Sequence, residues 1–418
     1  MQSLFFISHR IPYPPDRGEK IRGWNFIQHL ASRYRLFLGC LIDDPADWQH
    51  TPRLQALCAG FAAFGIDKRW QKLRALARLR PGRPLMLDYY GHAGMHRWAR
   101  EIFSREAIDI AYIYSTAMAP YALHTPDASQ GGPRRILDMQ DIDSEKWTQY
   151  AGKAGWPMRQ VWAREGRTLL AYERFAAMQC ERTLFVTEQE TLRFGDLAPE
   201  ARDRIDWLEQ GVDLERFSPA QALPNPYADD APRLVLTGNM DYWPNADAAI
   251  WFAREILPLL QRRQPAPRFV VVGANPSPEV MALADLPNVQ VTGRVDDVRP
   301  YVAHAAAVVA PLRIARGIQN KVLEGMAMAR PVVVSPQAFE GVRAHAGRDL
   351  LVGDGPAPIA ALIAGVLDGA YPDLAANGRR AVEASYSWAA TLAKLDRILA
   401  PRSPFGGSQG RFPEVDAP

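Results

Sequence analysis

Cations crowd a strand-to-helix turn in the last third of the chain. An apolar run, residues 307–310, ends at Pro311; Arg313 and Arg316 follow, then Gly317, then a helix carrying Lys321 and Glu324. The first amides of a helix have no partner inside the helix, and its dipole places partial positive charge there. An anion such as a phosphate is favoured at such a start. Arg313, Arg316 and Lys321 add charge and donors for a diphosphate. Lys321 and Glu324 are three apart and share a helix face, so Glu324 is placed to accept hydrogen bonds from two ribose hydroxyls. Gly317, Ile318 and Gln319 form the turn itself and would line the ligand. A solvated Lys/Glu pair on a surface helix is the plainer alternative, but it leaves three cations around one glycine unexplained.

Three further loops follow apolar strands. Gly238 and Asn239 end the run 233–237, where a glycine lets backbone approach a phosphate or sugar closely, or simply makes a tight turn. Residues 293–298 read Gly-Arg-Val-Asp-Asp-Val; either aspartate would cap the next helix, and Val295 would pack on a nucleobase. In the first half, His9 opens a Pro-stiffened loop that ends in Pro15, Asp16, Arg17 and Gly18. Those four residues would face the second half of the chain as an acceptor-side loop, and His9 is a candidate catalytic group together with Arg316. The triplet Asp141-Ile142-Asp143 has the spacing of a metal-diphosphate clamp, yet entry into a helix through Ser144 and Glu145 explains it more simply, and two carboxylates are few ligands for a divalent cation. No metal is expected. No histidine pair has zinc spacing, and there is no Walker A pattern, nucleophile elbow or G-x-G-x-x-G after a strand.

These loops need parallel sheets to hold them, because ligands bind at the carboxyl ends of such strands. Apolar runs at 4–8, 36–41, 110–114, 135–139 and 183–186, with helical stretches between them, read as one α/β unit. The pattern restarts at 233–238, 269–273, 289–292, 307–310 and 331–334. The fold class is therefore α/β, with two Rossmann-like doubly wound parallel-sheet domains facing each other: 1–217, then 233–373. The proline-rich stretch 218–232 reads as a linker and hinge. Residues 374–400 read as a C-terminal helix whose Trp388, Leu392 and Leu395 share a face that could cross back to the first domain. Residues 401–418 have the composition of a disordered tail.

The chain has 418 residues, 48% hydrophobic and 23% charged, with a formal net charge of only +3. That size and balance suit a globular protein with large cores, and the charge offers no general attraction for nucleic acid. Three scattered cysteines, Cys40, Cys58 and Cys180, suit a reducing compartment. No apolar run reaches 18 residues. The expectation is a cytoplasmic protein whose membrane contact, where it exists, is peripheral. One segment supplies a candidate contact. Residues 68–83 hold Lys68, Arg69, Lys72, Arg74, Arg78, Arg80 and Arg83 without an acid. On a helix, Trp70, Leu73, Leu76 and Ala77 fall toward one side. Such a stretch either docks on an anionic membrane or is a surface helix burying that stripe in the core.

The motifs together resemble a GT-B fold, family 4 retaining glycosyltransferase. The supporting residues are 210–219, Gln-Gly-Val-Asp-Leu-Glu-Arg-Phe-Ser-Pro, and the helix from Gly317 to Ala327 with Pro331-Val332-Val333 after it. The chain is more closely similar to sugar transferases of exopolysaccharide loci in PEP-CTERM/exosortase bacteria. Pro12-Tyr13-Pro14-Pro15 with Gly18, Asp143 to Trp147, Gly238 to Tyr242 with Pro244-Asn245, and Ala315 to Lys321 carry that likeness. The resemblance implies transfer of a glycosyl group, with retention, from a UDP- or GDP-type sugar to a lipid-linked or growing glycan, with no cofactor. It departs at one position: the family pairs two glutamates eight residues apart, and where Glu324 matches the second, Arg316 stands at the first. A sugar-nucleotide epimerase of the same fold and a non-catalytic sugar-nucleotide-binding protein are the alternatives.

Overall fold

The computed structural model describes residues 1–15, 18–126, 128–315 and 317–401. Arg316, Asp16, Arg17 and the terminal residues 402–418 lie outside them. Seven strands form the first sheet: Ser3–Ser8 (β1), Arg35–Ile42 (β2), Gly60–Gly65 (β3), Ile110–Tyr114 (β4), Arg134–Gln140 (β5), Arg182–Phe185 (β6) and Ile205–Trp207 (β7). Six form the second: Arg233–Thr237 (β8), Arg268–Val272 (β9), Val289–Val291 (β10), Ala307–Ala310 (β11), Val332–Val334 (β12) and Leu351–Val352 (β13). Every pairing is parallel, in the orders β3-β2-β1-β4-β5-β6-β7 and β10-β9-β8-β11-β12-β13. A parallel strand covered on both faces needs apolar residues at every position. β1 shows it: Phe5 and Ile7 enter the cluster on one face, Leu4 and Phe6 the cluster on the other. In each sheet the order reverses beside the first strand, between β1 and β4 and between β8 and β11. Those switch points are where doubly wound sheets open a crevice.

A buried charge network fixes where the chain leaves the first domain. Arg22, in the helix Gly18–Ala31, and Asp138 of β5 are both essentially inaccessible. Arg22 Nε donates to Asp138 at 3.1 Å, and its Nη1 donates to the carbonyls of Leu208 and Glu209 at 2.8 and 3.1 Å. Tyr112 of β4 donates its hydroxyl to the same carboxylate at 2.7 Å. The chain then crosses over. Leu208 belongs to the first domain's core and Val212 to the second's.

The chain crosses back at 386–388. Val212 bridges Ser387, and its N–H donates to the Tyr386 carbonyl at 2.8 Å. The region 374–400 is two helices. Leu374–Ser385 stays with the second domain, where Arg379 donates to the carbonyls of Phe217 and Ala327. Trp388–Leu399 crosses over, burying Leu395 and Leu399 in the first domain's core and placing His29 2.7 Å from Asp396.

This corrects the hinge position read from the prolines. Residues 218–232 pack on the second domain, with Tyr227 donating to the Tyr301 carbonyl at 3.1 Å and Arg299 donating to Gln221 at 2.8 Å. The chain passes between the domains at the two crossings, 208–212 and 386–388. Prolines mark rigid, irregular chain; they do not by themselves mark the place where few contacts hold two bodies together.

Removing one partner of a buried ion pair strands the other charge, at a cost of about 3–5 kcal/mol. Asp138→Ala should therefore lower the unfolding midpoint of the first domain sharply in chemical denaturation. A midpoint equal to the parent's would mean that Arg22 finds another partner and that the network does not hold the crossing.

Candidate active site in the interdomain cleft

The two domains meet through their ligand-facing loops. The helix Asn320–Ala327 follows β11 and the helix Gly18–Ala31 follows β1 by way of the Pro-rich loop. Their starts face each other: a Cβ added to Gly18 would lie 3.1 Å from the Asn320 side-chain amide. Gly317, at φ +63°, sits so close to the N-terminal domain that a Cβ there would collide with the Asp141 carboxylate. Glycine is required here twice, for the left-handed backbone and for the close approach.

Lys321 and Glu324 lie at the bottom of this junction. Lys321 is buried, and its Nζ donates to Asn245 Oδ1 at 2.9 Å. Asn245 in turn donates to the Asn239 carbonyl at 2.9 Å, so it ties the loop after β8 to the helix Asn320–Ala327. Among the described residues no hydrogen bond or ion pair reaches the Glu324 carboxylate. Burial pushes the Lys321 ammonium down to about 8, against an opposing pull from Glu324. Burial likewise pushes Glu324 up to about 7, against Lys321 and Arg216. Two groups whose protonation lies near neutrality thus sit on one short helix, Glu324 lining the cleft and Lys321 buried behind it against Asn245, and such shifted groups are typical of functional sites.

The cleft beside Glu324 has a volume of about 240 Å³. Trp24 and Asn25 of the first helix, Asp213 and Arg216 of the crossing, and Trp388 wall it. Across it lies a second charged cluster. Lys146 donates to Asp141 at 2.7 Å and to Asp143 at 3.1 Å. Both carboxylates of the D-x-D triplet are thus taken by one lysine, and among the described residues no three His, Cys, Asp or Glu side chains gather as a metal site. His9 ends β1. Its ring stacks 6.2 Å from Tyr114 and meets Tyr90 edge-on at 5.6 Å. Its Nδ1 is buried without a hydrogen-bond partner. Burial first and the Arg10 charge second lower its pKa, with Glu19 and Asp143 pulling the other way. A neutral imidazole with a free acceptor nitrogen is the form a proton acceptor needs.

The other site residues named from sequence divide in two. Gly238 packs against Asn245, and Gly273, after β9, is pressed on the Gly238 carbonyl, so backbone fills this corner. Ile318 and Val295 pack on the second core, and Gln319 donates to the Gly317 carbonyl at 3.3 Å. Pro15 walls the cleft. The Arg313 guanidinium, half exposed, makes a two-point pair with Asp247 and lies over the Trp251 ring, so it also braces the loop, a role the sequence reading did not include. Arg316, Asp16 and Arg17 fall outside the described residues. The partners that sequence reasoning missed are Asn245, Asn320 and Arg216. Asn245 had a legible signal, since Pro244-Asn245 was already part of the motif after β8.

Comparison with known proteins agrees with this geometry. Residues 231–368 match a family model described as glycosyl transferases group 1. No curated protein matches the chain by sequence. Among solved structures, the HepE protein of Anabaena in complex with UDP and glucose superposes with a TM-score of 0.64 at 13% identity, covering 96% of this chain and 99% of that one. Sucrose-phosphate synthase from Thermosynechococcus elongatus gives 0.69 at 15% identity, over 95% of this chain and 98% of that one. A glycosyltransferase from Rickettsia africae gives 0.64 at 12% identity, over 95% and 97%. The architecture is GT-B.

The contact at Gly317 can be isolated with a control. Gly369 also has positive φ, at +74°, but has open space around it. Alanine at either site carries the left-handed cost of about 1–2 kcal/mol. Gly317→Ala should destabilise more than Gly369→Ala, and combining it with Asp141→Ala should recover the difference. Equal losses at both glycines in thermal melts would show that the two loops do not touch in solution.

Proposed function

We propose that the protein is a glycosyltransferase that moves a sugar from a nucleotide diphosphate sugar to a glycan acceptor. The observation that carries this reading is the buried Lys321–Asn245 bond beside an unpaired Glu324, at a helix start facing the first domain. Lys321, the amides of that helix and Arg316 would hold the donor diphosphate, and Glu324 the ribose. Gly238, Asn239, Val295, Gly317, Ile318 and Gln319 line the donor side. Asp16, Arg17 and Gly18 with Pro15 would form the acceptor side, and His9 and Arg316 are the candidate catalytic groups.

Charge on the leaving diphosphate grows as the C1–O bond breaks. Preplaced cations and helix dipoles lower that barrier without reorganising water. Capture of both D-x-D carboxylates by Lys146 supports a metal-independent reaction. The HepE neighbour is in complex with UDP and glucose, which supports a UDP-type donor. Retention, membership of family 4, and a lipid-linked exopolysaccharide acceptor at the cytoplasmic face rest on the motif resemblance. No described helix is long and apolar enough to cross a membrane, so contact with a lipid-linked acceptor would be peripheral, through residues 68–83.

Nucleotide release from a panel of nucleotide sugars, with and without lipid-linked acceptor, tests the reading. Acceptor-dependent release is expected; an epimerase would interconvert the sugar with release only as a leak, and a binding protein would release nothing. Lys321→Ala should weaken the interaction by about 1.5–3 kcal/mol, a hydrogen bond to a charged group. Turnover equal to the parent's would remove Lys321 from the site.

The pH dependence has a defined sign. Below about pH 8 Lys321 already carries its proton, so diphosphate binding requires none. Above it the Lys321 amine is neutral in the free site, and binding an anion beside it takes a proton up, so affinity falls as pH rises. Calorimetry at pH 9 in buffers of different ionisation heat should find uptake approaching one proton, absent in Lys321→Ala. Zero uptake in the parent would place Lys321 away from the phosphates.

A further inference from the structure

The helix Lys68–Ala77 is turned inside out. At roughly 100° per residue, Gln71 and Ala75 lie opposite Trp70, Leu73, Leu76 and Ala77. The structure packs the polar side inward. Gln71 and Ala75 are buried, and Arg74 donates to the carbonyls of Asp88 (2.9 Å) and Gly91. Trp70, Leu73, Leu76 and Leu79 are 66, 61, 54 and 50% exposed. A helix that merely covers a core does the reverse.

Its charges suit a negative surface. Lys68 lies 3.2 Å from Asp43, and Arg83 and Arg78 lie 3.1 and 4.0 Å from Asp88. Asp67 caps the helix through the amides of Arg69 and Trp70. Among the described residues, the side chains of Arg69, Lys72 and Arg80 make no hydrogen bond or ion pair.

A second exposed element is tied to the segment that follows this helix. The helices Asp143–Lys153 and Met158–Met178 form a hairpin whose tip carries Trp156, 84% exposed, and exposed Met158 and Arg159. The longer helix supports the segment after the basic helix. Arg164 donates to the carbonyls of Arg80 and Arg83 (3.0 Å to the latter), and Glu165 accepts from the amides of Leu85 and Met86 at 2.8 and 3.0 Å. Met158 stands six residues before Arg164, about 9 Å along the helix. The same hairpin reaches the cleft: Tyr150 packs edge-on against Trp243 of the second domain at 5.8 Å.

We infer that the outward stripe of the basic helix and the Trp156 tip form one surface that inserts into the headgroup region of an anionic bilayer, with the cleft mouth beside it. The surface deepens the lipid-linked reading of the acceptor and rests on it only for purpose; bilayer binding needs no nucleotide. Exposed apolar side chains flanked by unpaired cations are the chemistry of interfacial helices, and a tryptophan on each element suits the headgroup level.

The full chain is tested for flotation with phosphatidylcholine vesicles, with and without phosphatidylglycerol, at near-physiological salt and without nucleotide. The parent should float only with the anionic vesicles. Trp70→Ser with Leu73→Ser and Leu76→Ser should reduce partitioning at least about tenfold, and Arg69→Glu with Lys72→Glu and Arg80→Glu should abolish it. Trp156→Ser should lower it several-fold. All these residues are exposed, so unchanged thermal melts are expected. A triple-serine variant that floats like the parent, a parent that ignores anionic vesicles, or an unaffected Trp156→Ser variant overturns the joint surface. Nucleotide release in the same preparations separates the two ideas: flotation without transfer sinks the transferase and keeps the surface, and transfer to a soluble acceptor without flotation does the opposite.

Discussion

The guanidinium of Arg22 is the constraint on which the rest is hung. A charge this deep is stable only when every donor is met. Satisfying it requires Asp138 from β5 and the carbonyls of Leu208 and Glu209 at once. The ion pair therefore joins three pieces: the helix after β1, the middle of the sheet, and the point of departure to the second domain. Gly211 lies hard against the Trp388 ring two residues later, so the two crossings are pressed together. The same helix begins at Gly18, against Asn320. One buried charge thus fixes the first part of this helix, the first crossing and the face the helix presents to the cleft. Two short crossings side by side permit rotation about one axis better than sliding, which is how a cleft closes around a ligand and excludes water.

Electrostatic satisfaction separates the frame from the site. Lys146 is met by two carboxylates, and Arg343 spans Glu188 and Glu209 at 3.3 and 2.9 Å. Arg313 is held by Asp247. These pairs brace loops. Lys321 has only a neutral amide for company and Glu324 has no partner among the described residues. Burial therefore drives both toward neutrality. A ligand offering phosphate to one and hydroxyls to the other relieves both costs, and that relief is available only when it binds.

What the sequence disclosed follows from the same physics. The inner strands of both sheets were legible because burial on two faces demands unbroken apolar runs. Three strands were not: Gly60–Gly65, Ile205–Trp207 and Leu351–Val352. Each lies at a sheet edge, where one neighbour suffices, strands shorten and the pattern fades. The first is also built from glycine, alanine and phenylalanine. The turn around Gly317 was legible because charge, glycine and helix start coincide in one stretch. The partner of Arg313 was not legible, since an arginine in a loop says nothing of the carboxylate 66 residues earlier that pairs with it. Asn245 escaped notice because its role is a bond to another motif.

Periodicity told where the apolar stripe of residues 68–83 lies but not which way it faces. An amphipathic pattern specifies two faces and leaves their assignment to the neighbours. Here the neighbour is the chain around Asp88 and Gly91, whose carbonyls point at the helix and need donors. Arg74 supplies them, and no leucine could. Once the polar side turns inward to meet those acceptors, helical geometry compels Trp70, Leu73 and Leu76 outward. The same backbone demand that satisfies two buried carbonyls thus creates an apolar strip with unpaired cations along its edge.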